Sequence, residues 1–113
     1  MITIWHNPRC SKSRQTHELL IREGHDPVER RYQDNPPSEA ELRAAQTALG
    51  LPAIAMMRTG EAAFKEMGLS KTDDEATLIA AMAKEPKLIE RPIVFNGSRA
   101  IIGRPPEAVL DIL

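Results

Sequence analysis

Cys10 is the only cysteine among the 113 residues, so it cannot close an intramolecular disulfide. A lone thiol is either a small buried hydrophobe or a group kept for chemistry. Its neighbours favour chemistry. Ile2-Thr3-Ile4-Trp5 reads as a buried strand, His6-Asn7-Pro8-Arg9 breaks it, and a helical pattern starts at Ser11 or Lys12. A cysteine between a strand and a helix start meets the unpaired N–H groups of the first turn, and these stabilise a sulfur anion. Arg9, Lys12 and Arg14 surround it in sequence, and His6 lies just upstream. A free thiol titrates near about 8.5, and such a setting moves it toward thiolate.

The same turn suits an oxyanion. The backbone N–H groups of Arg9 to Ser13 can form a concave nest at the positive end of the helix. Cys10-Ser11-Lys12-Ser13-Arg14 resembles a cysteine-phosphatase loop but is shorter than C-x5-R. Three arginines stand in unusual places. Arg58 ends the apolar run Ala53-Ile54-Ala55-Met56-Met57, Arg91 precedes Pro92 and an apolar strand, and Arg104 lies between Gly103 and Pro105. Each alone reads as a solvated charge. Together with Arg14 they can converge on one anion as bidentate donors. Arg22, Arg30, Arg31, Arg43 and Arg99 lie in element bodies and read as surface charges. His17 and His25 read as solvated, and Met56, Met57, Met67 and Met82 as core. No metal-ligand spacing and no Gly-rich nucleotide loop occurs, so no metal is expected.

The elements that must position these residues follow from caps and periodicity. The first helix runs to Glu23 and stops at Gly24, and Pro27 to Tyr32 is a weak second strand. Ser38-Glu39-Ala40-Glu41 is a capping box ahead of a helix that stops at Gly50. Short helical turns are expected from Pro52 to Arg58 and from Glu61 to Met67. Thr72-Asp73-Asp74-Glu75 reads as a second capping box before Leu78, Ile79 and Met82. Pro92-Ile93-Val94-Phe95 and Ser98 to Ile102 flank Asn96-Gly97, a strong hairpin signal. Glu107 to Leu113 closes as an apolar helix behind Pro105-Pro106.

Composition limits the alternatives. Hydrophobic residues make up 42% and charged residues 27%, close to ordinary globular usage. The formal charge of -1 removes the electrostatic case for nucleic-acid binding. No apolar run approaches the roughly 20 residues of a membrane span, and the N-terminus lacks signal-peptide features. One domain spanning 1–113 is expected, cytoplasmic and monomeric, without nucleic-acid or membrane partners.

The motifs carry a resemblance. His6-Asn7-Pro8-Arg9-Cys10-Ser11-Lys12-Ser13-Arg14, Asn35-Pro36-Pro37-Ser38, Met57-Arg58, Glu90-Arg91-Pro92-Ile93-Val94 and Gly103-Arg104-Pro105-Pro106-Glu107 resemble the glutaredoxin-coupled arsenate reductase (ArsC) family. Their order and spacing match along nearly the whole chain, most closely in its short Cys-Ser-Lys-Ser branch. Ser11 departs from the glycine usual in the arsenate-specific members. The resemblance implies an α/β, thioredoxin-like, mixed four-stranded sheet. A helical insertion at about 38–86 separates its second and third strands. It implies Cys10 as nucleophile, with His6, Ser13 and Arg14 tuning the thiolate and Arg58, Arg91 and Arg104 binding the oxyanion. It also implies a structural cis-proline at Pro92, whereas Pro36, Pro37, Pro105 and Pro106 are expected to be trans. No bound cofactor is implied. Arsenate or a related oxyanion is the expected substrate, glutathione the co-substrate and glutaredoxin the protein partner. Two alternatives share the fold: a thiol reductase acting on another oxyanion or a glutathione adduct, and an Spx-like regulator that binds RNA polymerase. Spx-like proteins commonly carry Cys-x-x-Cys, whereas Ser13 stands at the second position here.

Overall fold

In the computed structural model, which describes residues 1–113, the first strand is the hub of the sheet. β1 (Ile2–Trp5) pairs in parallel with β2 (Val28–Arg30) and antiparallel with β3 (Ile93–Asn96), which pairs antiparallel with β4 (Arg99–Ile102). The order β2-β1-β3-β4 makes the mixed four-stranded sheet of a thioredoxin-like fold. A parallel pair needs a crossover, and α1 (Ser11–Arg22) supplies it between β1 and β2. Gly24, with φ of 87°, ends that connection.

The chain forms two compact units. The first comprises 1–35 and 91–113 and holds the sheet. Its core gathers Ile2 and Ile4 of β1, Leu20 of α1, Val94 of β3, and Val109 and Ile112 of the C-terminal segment. Ile4, Leu20, Val94 and Val109 are fully buried, each contributing about 1.5–3 kcal/mol of apolar burial. The C-terminal segment Pro106–Ile112 is a 3-10 helix, tighter than the α-helix expected there, and it packs on α1 and β4. The backbone carbonyl of Ile112 accepts from Asn96 Nδ2 and Arg99 Nη2, tying this segment to the hairpin ends. Asn96 and Arg99 are themselves paired. The hairpin turn is therefore Gly97-Ser98, one residue beyond the expected Asn-Gly, and Gly97 takes φ of 63°.

The second unit, 36–90, is helical. α2 (Glu39–Leu49) starts in the expected capping box, with Ser38 and Glu41 satisfying each other's backbone donors. α3 (Ala62–Glu66) is a single turn beyond the 3-10 turn Ala53–Met56. α4 (Glu75–Lys84) packs on α2 through its buried face of Leu78, Ile79 and Met82. The second expected capping box does not form. Asp74 caps α4 by accepting from Thr77 N–H, and Glu75 accepts from the Ala53 N–H and the Gln46 amide instead. A carboxylate that can satisfy a distant backbone donor has a competing use, and here that use prevails. Met57 forms a bridge with Ile89. Met56, Met57 and Met82 are buried, and Met67 is half-buried. No helix of the chain is long and apolar enough to cross a membrane.

The Arg91-Pro92 peptide is cis, as expected. Arg104-Pro105 is also cis, which corrects the expectation of a trans bond there. Gly103 holds this region together. Its N–H donates to the Pro92 carbonyl at 2.9 Å, and its carbonyl accepts from the Thr16 hydroxyl at 3.3 Å. A Cβ at Gly103 would lie 2.8 Å from Thr16 Oγ1 and 2.9 Å from Pro92 Cγ. Gly103→Ala is therefore expected to destabilise the protein by about 1–3 kcal/mol, read as a lower urea midpoint at unchanged slope.

Candidate active site

The site is built on the loop between β1 and α1. The β1–β2 pairing continues one step beyond the strand, with His6 N–H donating to the Arg30 carbonyl at 2.8 Å. This carries the backbone straight into Asn7-Pro8-Arg9. The Asn7 carboxamide oxygen accepts from the Arg9 N–H at 3.0 Å, and the Asn7 carbonyl accepts from the Cys10 N–H at 3.0 Å. Arg14 Nη1 donates to the Pro8 carbonyl at 2.9 Å. Arg14 thus closes the loop from the helix side, while its own guanidinium stays exposed.

Cys10 occupies the N-cap position of α1 with extended backbone, φ -95° and ψ 124°. Burial pushes its thiol up. The Ser13 N–H, the Arg91 guanidinium and the Lys12 N–H oppose this, and the balance holds the thiol below its ordinary value. Arg104 Nη1 lies 3.9 Å from Cys10 Sγ and 3.2 Å from the Arg91 carbonyl, which accepts from it. Arg91 and Arg104, each followed by a proline, therefore come together at the sulfur from far along the sequence. Alkylation of Cys10 by iodoacetamide is expected to titrate with a midpoint below the ordinary thiol value of about 8.5. The rate should rise through that midpoint as pH increases, because the thiolate is the reacting form.

His6 and Ser13 are paired across the same loop. His6 Nδ1 and Ser13 Oγ are 2.6 Å apart in a buried contact, and the Asn7 N–H donates to the same hydroxyl at 3.0 Å. Burial lowers the pKa of His6, with Glu29 pulling the other way and His17, Arg31 and Arg14 adding to the drop. This favours the neutral ring, and the tautomer decides whether Nδ1 or the Ser13 hydroxyl donates across the contact. Ser13 thereby fixes the turn whose N–H faces Cys10.

His17, read as solvated from sequence, is half-buried and stacks on His6 at 5.2 Å between ring centroids. Its Nε2 lies 3.8 Å from Glu29. The spacing from His6 carries no helical or strand signal, because the contact crosses from the end of β1 to the second turn of α1. Arg30, read as a plain surface charge, sits 5.6 Å over the Trp5 ring. Tyr32, two residues beyond β2, is fully buried at the end of the sheet that carries the loop.

Arg58 belongs to the helical unit. Its N–H donates to the Leu88 carbonyl at 2.8 Å, its Nη1 lies 2.7 Å from Glu61 and its Nε 3.9 Å from Glu90. Its guanidinium is thus held by carboxylates of its own unit.

The chain is similar to several known proteins. The family model described as the ArsC family matches residues 5–112. An arsenate reductase of Haemophilus influenzae is 44% identical over 114 residues, covering 99% of this chain and 98% of that protein. The solved structure of an arsenate reductase from Vibrio cholerae superposes with a TM-score of 0.96 at 47% identity, covering 99% of this chain and 97% of that one. A putative arsenate reductase from Yersinia pestis gives 0.92 at 45% identity, covering 98% and 99%. With the family match spanning both the cysteine loop and the late arginines, the chain belongs to the ArsC family.

Proposed function

We propose that this protein is a cytoplasmic, glutathione- and glutaredoxin-linked arsenate reductase acting through Cys10. The observation that carries the reading is the convergence of three thiolate-favouring elements on one sulfur: the start of α1, Arg91 and Arg104. That arrangement holds a nucleophile beside two guanidiniums suited to an oxyanion.

In the proposed reaction the Cys10 thiolate attacks the arsenic of arsenate held by Arg91 and Arg104. A sulfur–arsenic bond forms, an arsenic–oxygen bond breaks, and the departing oxygen leaves as water after taking up protons. The chain has no second cysteine, so the resolving thiol comes from outside. Glutathione thiolate attacks Cys10 Sγ, and the sulfur–arsenic bond breaks with its electron pair staying on arsenic. Arsenic falls from the +5 to the +3 state and leaves as arsenite, while Cys10 is left in a mixed disulfide with glutathione. A glutaredoxin thiol then attacks the glutathione sulfur and releases the Cys10 thiolate. Two thiols are oxidised to one disulfide for each arsenate reduced. Neutral His6 and Ser13 hold the first turn of α1 in place, and Arg14 closes the loop over it.

The test is arsenite release from arsenate with glutathione and glutaredoxin supplied together. Sustained release that stops when either thiol component is omitted is the expected result. Reduction of glutathione mixed disulfides without arsenite release would transfer the same Cys10 step to a different substrate.

A further inference from the structure

A groove of about 210 Å³ opens between the reactive loop and the turn that follows β2. Asn7, Pro8 and Arg9 line one side, and Arg31 and Asp34 the other. The loop side is the turn that ends in the nucleophile, because the Asn7 carbonyl accepts from the Cys10 N–H at 3.0 Å. A turn closed this way brings its two ends within about 7 Å. Arg14 Nη1 braces it by donating to the Pro8 carbonyl at 2.9 Å. The facing side is braced too, since the Arg31 carbonyl accepts from the Asp34 N–H at 3.0 Å and the Asn35 N–H at 2.9 Å. Arg9, Arg31 and Asp34 are all exposed. Arg31 spends only Nε, on Glu29 at 2.8 Å, and its Nη groups stay available. No ion pair joins Arg31 or Arg9 to Asp34, although all three line the same groove.

Two cations and one anion around a groove complement a ligand with two carboxylates and one ammonium. Glutathione carries that set on a tripeptide whose central residue bears the thiol. Asp34 argues against a second oxyanion site here, because its carboxylate would repel one. The volume is below the roughly 300–1,000 Å³ of pockets that engulf a whole ligand, so part of the tripeptide stays outside. Three extended residues span about 10 Å, which is enough to reach from this groove across the Asn7–Cys10 turn. We propose that this groove is the glutathione subsite. Arg31 and Asp34 hold the carboxylate and ammonium of the γ-glutamyl end, Arg9 holds the glycine carboxylate, and the thiol is left at Cys10 Sγ. The inference rests on the reading that glutathione resolves the Cys10 adduct, and it says where that co-substrate sits.

The experiment needs no arsenate. The reduced protein is mixed with glutathione disulfide or with hydroxyethyl disulfide, and the Cys10 mixed disulfide is followed by mass. In both reactions the Cys10 thiolate attacks one sulfur, a Cys10 sulfur–sulfur bond forms, and the old disulfide breaks with its electron pair on the departing thiolate. Only the first reagent carries charges for the groove to read; the second reports the intrinsic reactivity of the thiol. Arg31→Gln and Asp34→Asn are each expected to lower the ratio of the two rates about threefold, and the double variant about tenfold, the scale of exposed charge pairs. Asp34→Asn is the decisive variant. It makes the groove more positive, so plain attraction of anionic glutathione would speed the reaction, whereas loss of an ammonium partner slows it. A faster reaction in Asp34→Asn, or an unchanged ratio in all three variants, overturns the subsite. Equal slowing with both reagents shows a disturbed loop and also overturns it. Arsenite release measured beside these rates keeps the two readings apart. Wild type that releases arsenite while the variants keep the wild-type ratio loses the subsite alone. Wild type that releases none, with the ratio falling as expected, loses the reductase reading alone.

Discussion

Cys10→Ser is expected to abolish arsenite release, a loss on the order of 10⁴-fold or more, the scale seen when an essential nucleophile is removed. The substitution changes one atom at a position that is only 9% exposed, so the fold should be kept. A serine hydroxyl at the start of α1 receives the same N–H groups, but its pKa lies far above that of a thiol and no anion forms near neutral pH. Arg91 and Arg104 are untouched, so arsenate should still bind within a few-fold of wild type. Binding without chemistry is the signature to look for, by calorimetry for the first and arsenite release for the second. Glutathione adduct formation, followed by mass, should vanish in parallel, since the chain holds no other thiol. Retention of more than a trace of arsenite release would show that the sulfur is not the attacking atom.

Arg91→Ala carries the next largest effect, and it is twofold. The guanidinium favours the Cys10 thiolate both as a hydrogen-bond donor and through its charge, so its loss should raise the alkylation midpoint toward the ordinary thiol value. It should also weaken oxyanion binding by about tenfold or more, since charge-assisted bonds contribute roughly 1.5–3 kcal/mol each. Arg91→Lys separates the two. It restores the positive charge and much of the thiol shift but lacks the planar fork, so anion affinity should recover only in part. Arg104→Ala should weaken anion binding with a smaller change in the thiol, because Arg104 is exposed and its Nη1 stands 3.9 Å from Sγ. Arg58→Ala belongs in the same series, with Arg22→Ala and Arg43→Ala as surface controls. Equal effects at all five positions would reduce the role of these arginines to overall charge.

In the proposed mechanism thiol acidity and anion affinity are coupled, because the donors beside the sulfur would also be the donors to the arsenate oxygens. This makes Gly103 important at a distance. Thr16 and Pro92 occupy the space a Cβ would need there, and Gly103 stands directly before Arg104. A side chain there would disturb the course of the chain into that arginine as well as cost stability.

Local elements with short-ranged signals were legible in the residues alone. Ser38 and Glu41 satisfy each other across one turn, so the start of α2 was legible from four residues. Cys10 between a β-branched run and a helix start was legible as an activated thiol, because the first-turn N–H groups belong to the adjacent residues. The thioredoxin-like sheet followed from the order of strands and helices together with the family motifs. Where two local solutions competed, tertiary contacts decided. Glu75 could cap its own helix or serve the Ala53 N–H across the unit, and it does the latter. The Asn-Gly pair could turn the hairpin, yet the Asn96–Arg99 pairing and the tie to Ile112 moved the turn to Gly97-Ser98. The fold, not the local pattern, places His17 against His6 and brings Arg104 to within 3.9 Å of the Cys10 sulfur. Each of these depends on chain segments that the fold brings together, and a one-dimensional pattern carries no record of what stands on the far side of a sheet or loop. The chemistry of the site was written in residue types; which of those residues meet, and through which atoms, was settled by packing.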